Sequence, residues 1–152
     1  MSIRGVSFEI YSEGNKALSK VLSGIDVGKY NWYIDQDQTE GWILNTNTDY
    51  FEYSFYTGEL LNKIIQKPHY ITFAKMMAYS GKNFDGEIQS FEDFMNSNCI
   101  ILVLIYDCEY VEIYSKDKKV IEYYKNSGNV FFSKCDYITD TNDTRTRLDI
   151  IS

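Results

Sequence analysis

From Cys99 to Tyr106 the chain is apolar in both alternating sets. Cys99, Ile101, Val103 and Ile105 form one, and Ile100, Leu102, Leu104 and Tyr106 the other. A strand with a single buried face would alternate with polar residues, so this run predicts a strand covered on both sides. It is too short for a membrane helix. Asp107-Cys108 reads as a turn. Beyond it, Tyr110, Glu112 and Tyr114 alternate with Val111 and Ile113, which predicts a half-buried partner strand. The hairpin over residues 99–115 is the expected centre of the fold.

The other elements follow from the same two periodicities. Val6, Phe8 and Ile10 alternate with Ser7 and Glu9 in a first strand. Ala17, Leu18, Val21, Leu22 and Ile25 recur at helical spacing, with Gly24 or Gly28 to end the helix. Residues 30–35 (YNWYID) read as an aromatic strand, and residues 41–45 (GWILN) as a second strand pairing back on it across the acidic turn DQDQTEG. Tyr50, Phe51, Tyr53, Phe55 and Tyr56 form an aromatic cluster of unassigned structure. Thr57 suits the cap of a helix carrying Leu60, Leu61, Ile64 and Ile65, stopped by Pro68. Residues 70–79 read as a strand. Ser90 and Asp93 resemble a capping box for a short helix with Phe91, Phe94 and Met95 turned inward. Val120, Ile121 and Tyr124 mark a helix face ended by Gly128, and residues 129–138 a last strand. With no linker, repeat or low-complexity segment, residues 1–152 are expected to form one domain. The class is α+β: a single mixed, largely antiparallel sheet with about four helices packed on it.

Composition narrows the function classes. A net charge of −7 disfavours nucleic acid and anionic membrane, which need clustered Lys and Arg. No run has the length of a membrane span and the start lacks an apolar signal region. Three cysteines without close spacing argue against a disulfide framework. A cytoplasmic location is the expectation. The chain holds 14 Tyr, 9 Phe and 2 Trp against one proline, a composition suited to half-wet surfaces and interfaces.

The usual chemical signatures are missing. There is no G-x-G-x-x-G, no P-loop, no G-x-S-x-G and no H-E-x-x-H. His69 is the sole histidine, and with Cys99, Cys108 and Cys135 it lacks the spacing of a zinc site. Among the thiols Cys108, at a turn, is the most accessible candidate nucleophile. The acidic turn fails the calcium-loop pattern, with Glu40 at its sixth position and Thr46 at its twelfth. No catalytic residue, metal or cofactor is assigned. Two polar features remain. Arg145 and Arg147 project on one side of an extended tail and could hold an anion bidentately, with Asp107 or Glu109 as acid or base. Pairing with Asp140, Asp143 or Asp149 is the alternative use of the same arginines. Trp32 and Tyr33, beside Asp35 and Asp37, could offer a basic protein or peptide an aromatic, acidic patch.

The blocks RGVSFEI, YNWYID, LIYDCEYVEIYSKD and YITDTNDTRTRL together resemble an uncharacterised bacterial domain-of-unknown-function family, found mainly in Bacillus-like low-GC Gram-positive bacteria. The resemblance runs over nearly the whole chain. It implies a small intracellular bacterial protein and brings no activity or site residue. The leading expectation is a non-enzymatic protein- or peptide-binding protein, acidic and tyrosine-rich, of an immunity or antitoxin-like kind. The alternatives are a small anionic-ligand binder or enzyme built on Arg145 and Arg147, and a homo-oligomer with aromatics buried between subunits.

Overall fold

The structure, a computed structural model, describes residues 2–10, 16–84, 86–126 and 134–151. In chain order its elements are β1 (Ile3–Glu9), α1 (Ala17–Val21), β2 (Asn31–Ile34), β3 (Glu40–Ile43), β4 (Phe55–Thr57), α2 (Gly58–Ile64), β5 (His69–Tyr79), α3 (Phe91–Asn96), β6 (Cys99–Tyr106), β7 (Tyr110–Ser115), α4 (Lys118–Asn126) and β8 (Asp136–Thr139). The strands form one sheet in the order β4-β2-β5-β6-β7-β1-β8, and β3 joins it by pairing with β5. Every described pairing is antiparallel. The α+β class and the central hairpin are as the hydrophobic pattern predicts.

The unbroken apolar run of β6 reflects its position in the middle. One side, with Val6, Phe8, Trp32, Ile34, Met76, Ile101, Val103 and Ile113, packs under α1, α2 and α4 through Leu18, Val21, Leu61, Ile121 and Tyr124. The opposite side, with Met77, Leu102, Leu104 and Tyr114, packs under Phe94 of α3, Ile88 and Leu148. Each such fully buried Leu contributes about 2 kcal/mol of transfer free energy. The close approach of β1 to β7 requires Gly5, since a Cβ there would stand 1.9 Å from the Ile113 carbonyl oxygen.

Local signals place the helix starts. Thr57 accepts a hydrogen bond from the Leu60 N–H at 3.2 Å and caps α2. Ser90 accepts from the Asp93 N–H at 3.1 Å, and the Asp93 carboxylate reaches back to the Gln89 N–H at 3.0 Å. His69, 2% exposed, receives the Leu18 N–H on Nε2 at 3.0 Å, so its hydrogen lies on Nδ1, 2.7 Å from the Lys67 carbonyl. The imidazole thus satisfies a first-turn N–H of α1, and burial pulls its pKa below the usual value.

Three expectations need correction. Residues 41–45 do not pair back on β2. A 3-10 turn over Gln36–Gln38, capped by Asp35, carries the chain onward, and both β2 and β3 pair with the eleven-residue β5. Met95 faces outward and is 51% exposed, because a helix as short as α3 buries one position per turn, here Phe94. Of the expected last strand, Asp136–Thr139 is β8, residues 134 and 135 are not strand, and residues 129–133 and the Gly128 terminator lie outside the described residues.

Candidate functional site

Beyond β8 the described residues have no regular secondary structure, yet residues 143–151 cross the second side of the sheet as a strap. Its course is fixed by partners from six elements or loops. Asp143 turns back after β8 and accepts from Arg4 of β1 and from the Tyr114 hydroxyl of β7, both at 3.1 Å. Arg145 donates from Nε to Glu112 of β7 at 2.5 Å and lies over the Tyr106 ring, 5.3 Å from its centroid. Leu148 is 1% exposed and its N–H bonds to the Gln89 carbonyl at 2.8 Å. Asp149 accepts from the Lys75 ammonium of β5 at 2.8 Å and from Arg147 at 2.9 Å. Gln38 then holds the Ile150 and Ile151 backbone.

Register explains why the strap is charged. Lys75, Leu104, Glu112, Ser7 and Asp136 are successive cross-strand neighbours, so they form one mostly polar row across this side. Lys75 is itself 1% exposed. A buried ammonium needs a counter-charge and hydrogen bonds, and Asp149 with the Ile88 carbonyl supplies them. Burial raises the pKa of Glu112, and Arg145 opposes that shift. Burial would also raise Asp149, but its bonds to Lys75 and Arg147 outweigh it and the pKa falls.

One end of this side is left uncovered. Between Glu40↔Phe73 and Gly41↔Ile71 the register slips by one residue of β5. The bulge at Thr72 flips the alternation, so Ile71 stays in the core while Tyr70 and its partner Trp42 turn to the strap side. Trp42 and Tyr70 stack with centroids 5.1 Å apart. Tyr106 and Tyr110, opposite each other at the hairpin end, stack at 5.3 Å. Cys108 joins the two pairs, its sulfur 3.1 Å from the Tyr70 hydroxyl. That hydrogen bond favours the neutral phenol and raises the Tyr70 pKa. Tyr70 is 43% and Tyr110 36% exposed. Beside Trp42 and Tyr70 lies a groove of about 440 Å³ walled by Leu44, Asn45, Thr46 and Asn47.

Carboxylates rim this end. Glu40 and Asp49 are on the Trp42 side of their strands, Asp49 through a bridge to Trp42, and Asp107 and Glu109 flank Cys108. All four are exposed, and none forms an ion pair among the described residues. Asp107 and Cys108 both take left-handed backbone angles, φ 54° and 64°, a strained choice for residues with a Cβ.

The residues singled out in the sequence are distributed differently. Arg145 and Arg147 both bond to Asp149, Arg145 from Nη1 to its backbone carbonyl at 3.2 Å and Arg147 from Nη2 to its carboxylate at 2.9 Å. The first pairs with Glu112 and the second with Asp149, and both serve the strap. Asp107 and Glu109 are at the hairpin tip, and the carboxylate that meets Arg145 is Glu112. Trp32 is 0% exposed and its indole donates to the Val27 carbonyl at 3.1 Å. That corrects its place in a surface patch: adjacent strand residues face opposite sides, so Trp32 enters the core while Tyr33 packs half-buried on Phe84. Asp35 accepts the Asp37 N–H at 3.1 Å, and burial raises its pKa. Asp37 is exposed. No group of His, Cys, Asp or Glu among the described residues is placed to hold a metal ion, and no described helix is long and apolar enough to cross a membrane. Alternation in the sequence places Trp42 and Tyr70 in strands and does not mark either as exposed. Tyr106 and Tyr110 were the legible signal, two tyrosines flanking one tight turn.

The chain belongs to the family described as "Protein of unknown function (DUF2691)", whose model matches residues 3–149. Among individual proteins it is similar to the uncharacterized protein YncE of Bacillus subtilis (strain 168), with 31% identity over 97% of this chain and 99% of that protein. No solved structure matches the chain.

Proposed function

We propose that the protein is a non-enzymatic binding module and that the aromatic end bearing Trp42, Tyr70, Tyr106 and Tyr110 is its contact surface for a protein partner. The observation behind this reading is the pair of stacked, part-exposed ring pairs joined through Cys108. Tyr and Trp exposed on a rigid sheet give large contact area at small entropic cost. Neighbouring exposed rings mark an interaction surface in a way that rings scattered singly do not. The strained hairpin tip beside them fits the same reading, because backbone strain is retained where a surface has a task.

The test is photo-crosslinking in the native host with a benzophenone side chain at position 70. Tyr123, 47% exposed on α4 at the opposite side of the sheet, serves as the control position. A discrete adduct from position 70 and not from position 123, lost in a Trp42→Ser/Tyr110→Ser background, supports the reading. Identical adducts from both positions, or none from position 70, refute it.

A further inference from the structure

The chemistry of this surface specifies more than a generic partner. We infer that its ligand is an extended protein segment presenting arginine side chains, whose guanidinium groups lie on the exposed faces of Tyr70, Trp42 and Tyr110 and face the carboxylates of Glu40, Asp49, Asp107 and Glu109. This rests on the binding-module reading and names the partner chemistry for the same surface.

Three observations lead there. First, the protein already shows the contact in its own fold: the Arg145 guanidinium lies over Tyr106, 5.3 Å from the ring centroid. The Arg4 guanidinium lies over Phe91 at 4.1 Å on the same side of the sheet. Both arginines are simultaneously held by a carboxylate, Glu112 and Asp143 respectively. Ring beneath and carboxylate beside is therefore the local pattern for a guanidinium. Second, the uncovered end offers the same two ingredients. It has ring faces at Trp42, Tyr70 and Tyr110, and carboxylates at Glu40, Asp49, Asp107 and Glu109 without ion pairs among the described residues. Third, one stack lies on β3 and β5 and the other on β6 and β7, with Cys108 of the β6–β7 turn against the Tyr70 hydroxyl, so an extended chain laid across these strands would reach both. Arginine is the better occupant than lysine because its flat, weakly hydrated guanidinium stacks on rings and still donates in-plane to carboxylates. A net charge of −7 adds long-range attraction for a basic segment.

The experiment is fluorescence anisotropy with the full chain and a short fluorescein-labelled peptide of alternating arginine and serine. Parallel peptides carry lysine, or citrulline, which keeps the planar shape without the charge. The expected result is saturable binding of the arginine peptide, weakened about tenfold or more by citrulline and about threefold to tenfold by lysine. Tyr70→Leu and Asp107→Asn/Glu109→Gln should each weaken it by about fivefold. These positions are exposed, and an unchanged urea midpoint verifies that the variants fold. Equal binding of arginine and citrulline peptides, insensitivity to Tyr70→Leu, or no binding overturns the inference. A position-70 crosslink to a partner together with no arginine-peptide binding leaves the binding-module reading standing and removes only the arginine assignment. Loss of the crosslink with arginine binding indifferent to Tyr70 removes both.

Discussion

Removing the Asp149 carboxylate should destabilise the protein far more than removing the lysine it pairs with. Lys75 is 1% exposed and its ammonium bonds to Asp149 at 2.8 Å and to the Ile88 carbonyl. Asp149→Ala leaves that charge buried with one neutral acceptor. Breaking a fully buried pair costs about 3–5 kcal/mol. The Asp149 side chain is 21% exposed, so water can partly replace it and about 2–3 kcal/mol is the better expectation. Its second partner, Arg147, is 61% exposed and adds at most about 0.5 kcal/mol. Lys75→Met removes the ammonium with its desolvation cost, fills similar volume, and leaves Asp149 paired with Arg147. The Ile88 carbonyl loses its donor, so the net change should stay within about 1 kcal/mol. With a urea m-value of about 2 kcal/mol/M, Asp149→Ala should lower the midpoint by about 1–1.5 M and Lys75→Met by less than about 0.5 M. The double variant should cost less than the sum of the singles by about 1–2 kcal/mol. Equal costs for the two single variants, or simple additivity, would refute the account of Lys75 as a buried charge that depends on the strap.

Other outcomes follow from the same geometry. The folded-state pKa of His69 is depressed by burial from its ordinary value of 6.5, so the unfolded chain binds more protons just below that value. Its contribution is complete above about pH 6.5 and is lost as pH falls toward the folded pKa. Urea midpoints measured across this range should decline, and the part due to this group should be absent in His69→Gln. Cys108→Gly relieves a left-handed angle of 64° and should raise stability by about 1 kcal/mol, read as a higher Tm. Gly5→Ala places a Cβ 1.9 Å from the Ile113 carbonyl oxygen and should cost about 3 kcal/mol or prevent soluble expression, read by thermal melts of the soluble fraction.

The elements legible in the sequence are those fixed by near neighbours. The apolar run of β6, the alternation of β7 and the caps at Thr57 and Ser90 carry their own evidence, and the structure realises each. The pairing of β3 was not legible, since its partner strand begins well downstream and the turn after Asp35 could be read as a hairpin. The strap was less legible still. Residues 143–151 have no periodicity, and their positions come from Arg4, Gln38, Lys75 and Glu112, all distant in sequence. Which aromatics stay exposed depends on the bulge at Thr72, a one-residue slip that alternation alone does not reveal.

The strap also has a place in time. On the ribosome residues 143–151 are made after every strand they rest on, so a sheet that formed before them would have Met77, Leu102 and Leu104 uncovered by Leu148 and the Lys75 ammonium without Asp149. Such a state would be both sticky and charge-frustrated until residues 143–151 dock. A chain cut before residue 143 would stay in that state, which would give proteases and chaperones a physical criterion for recognising it.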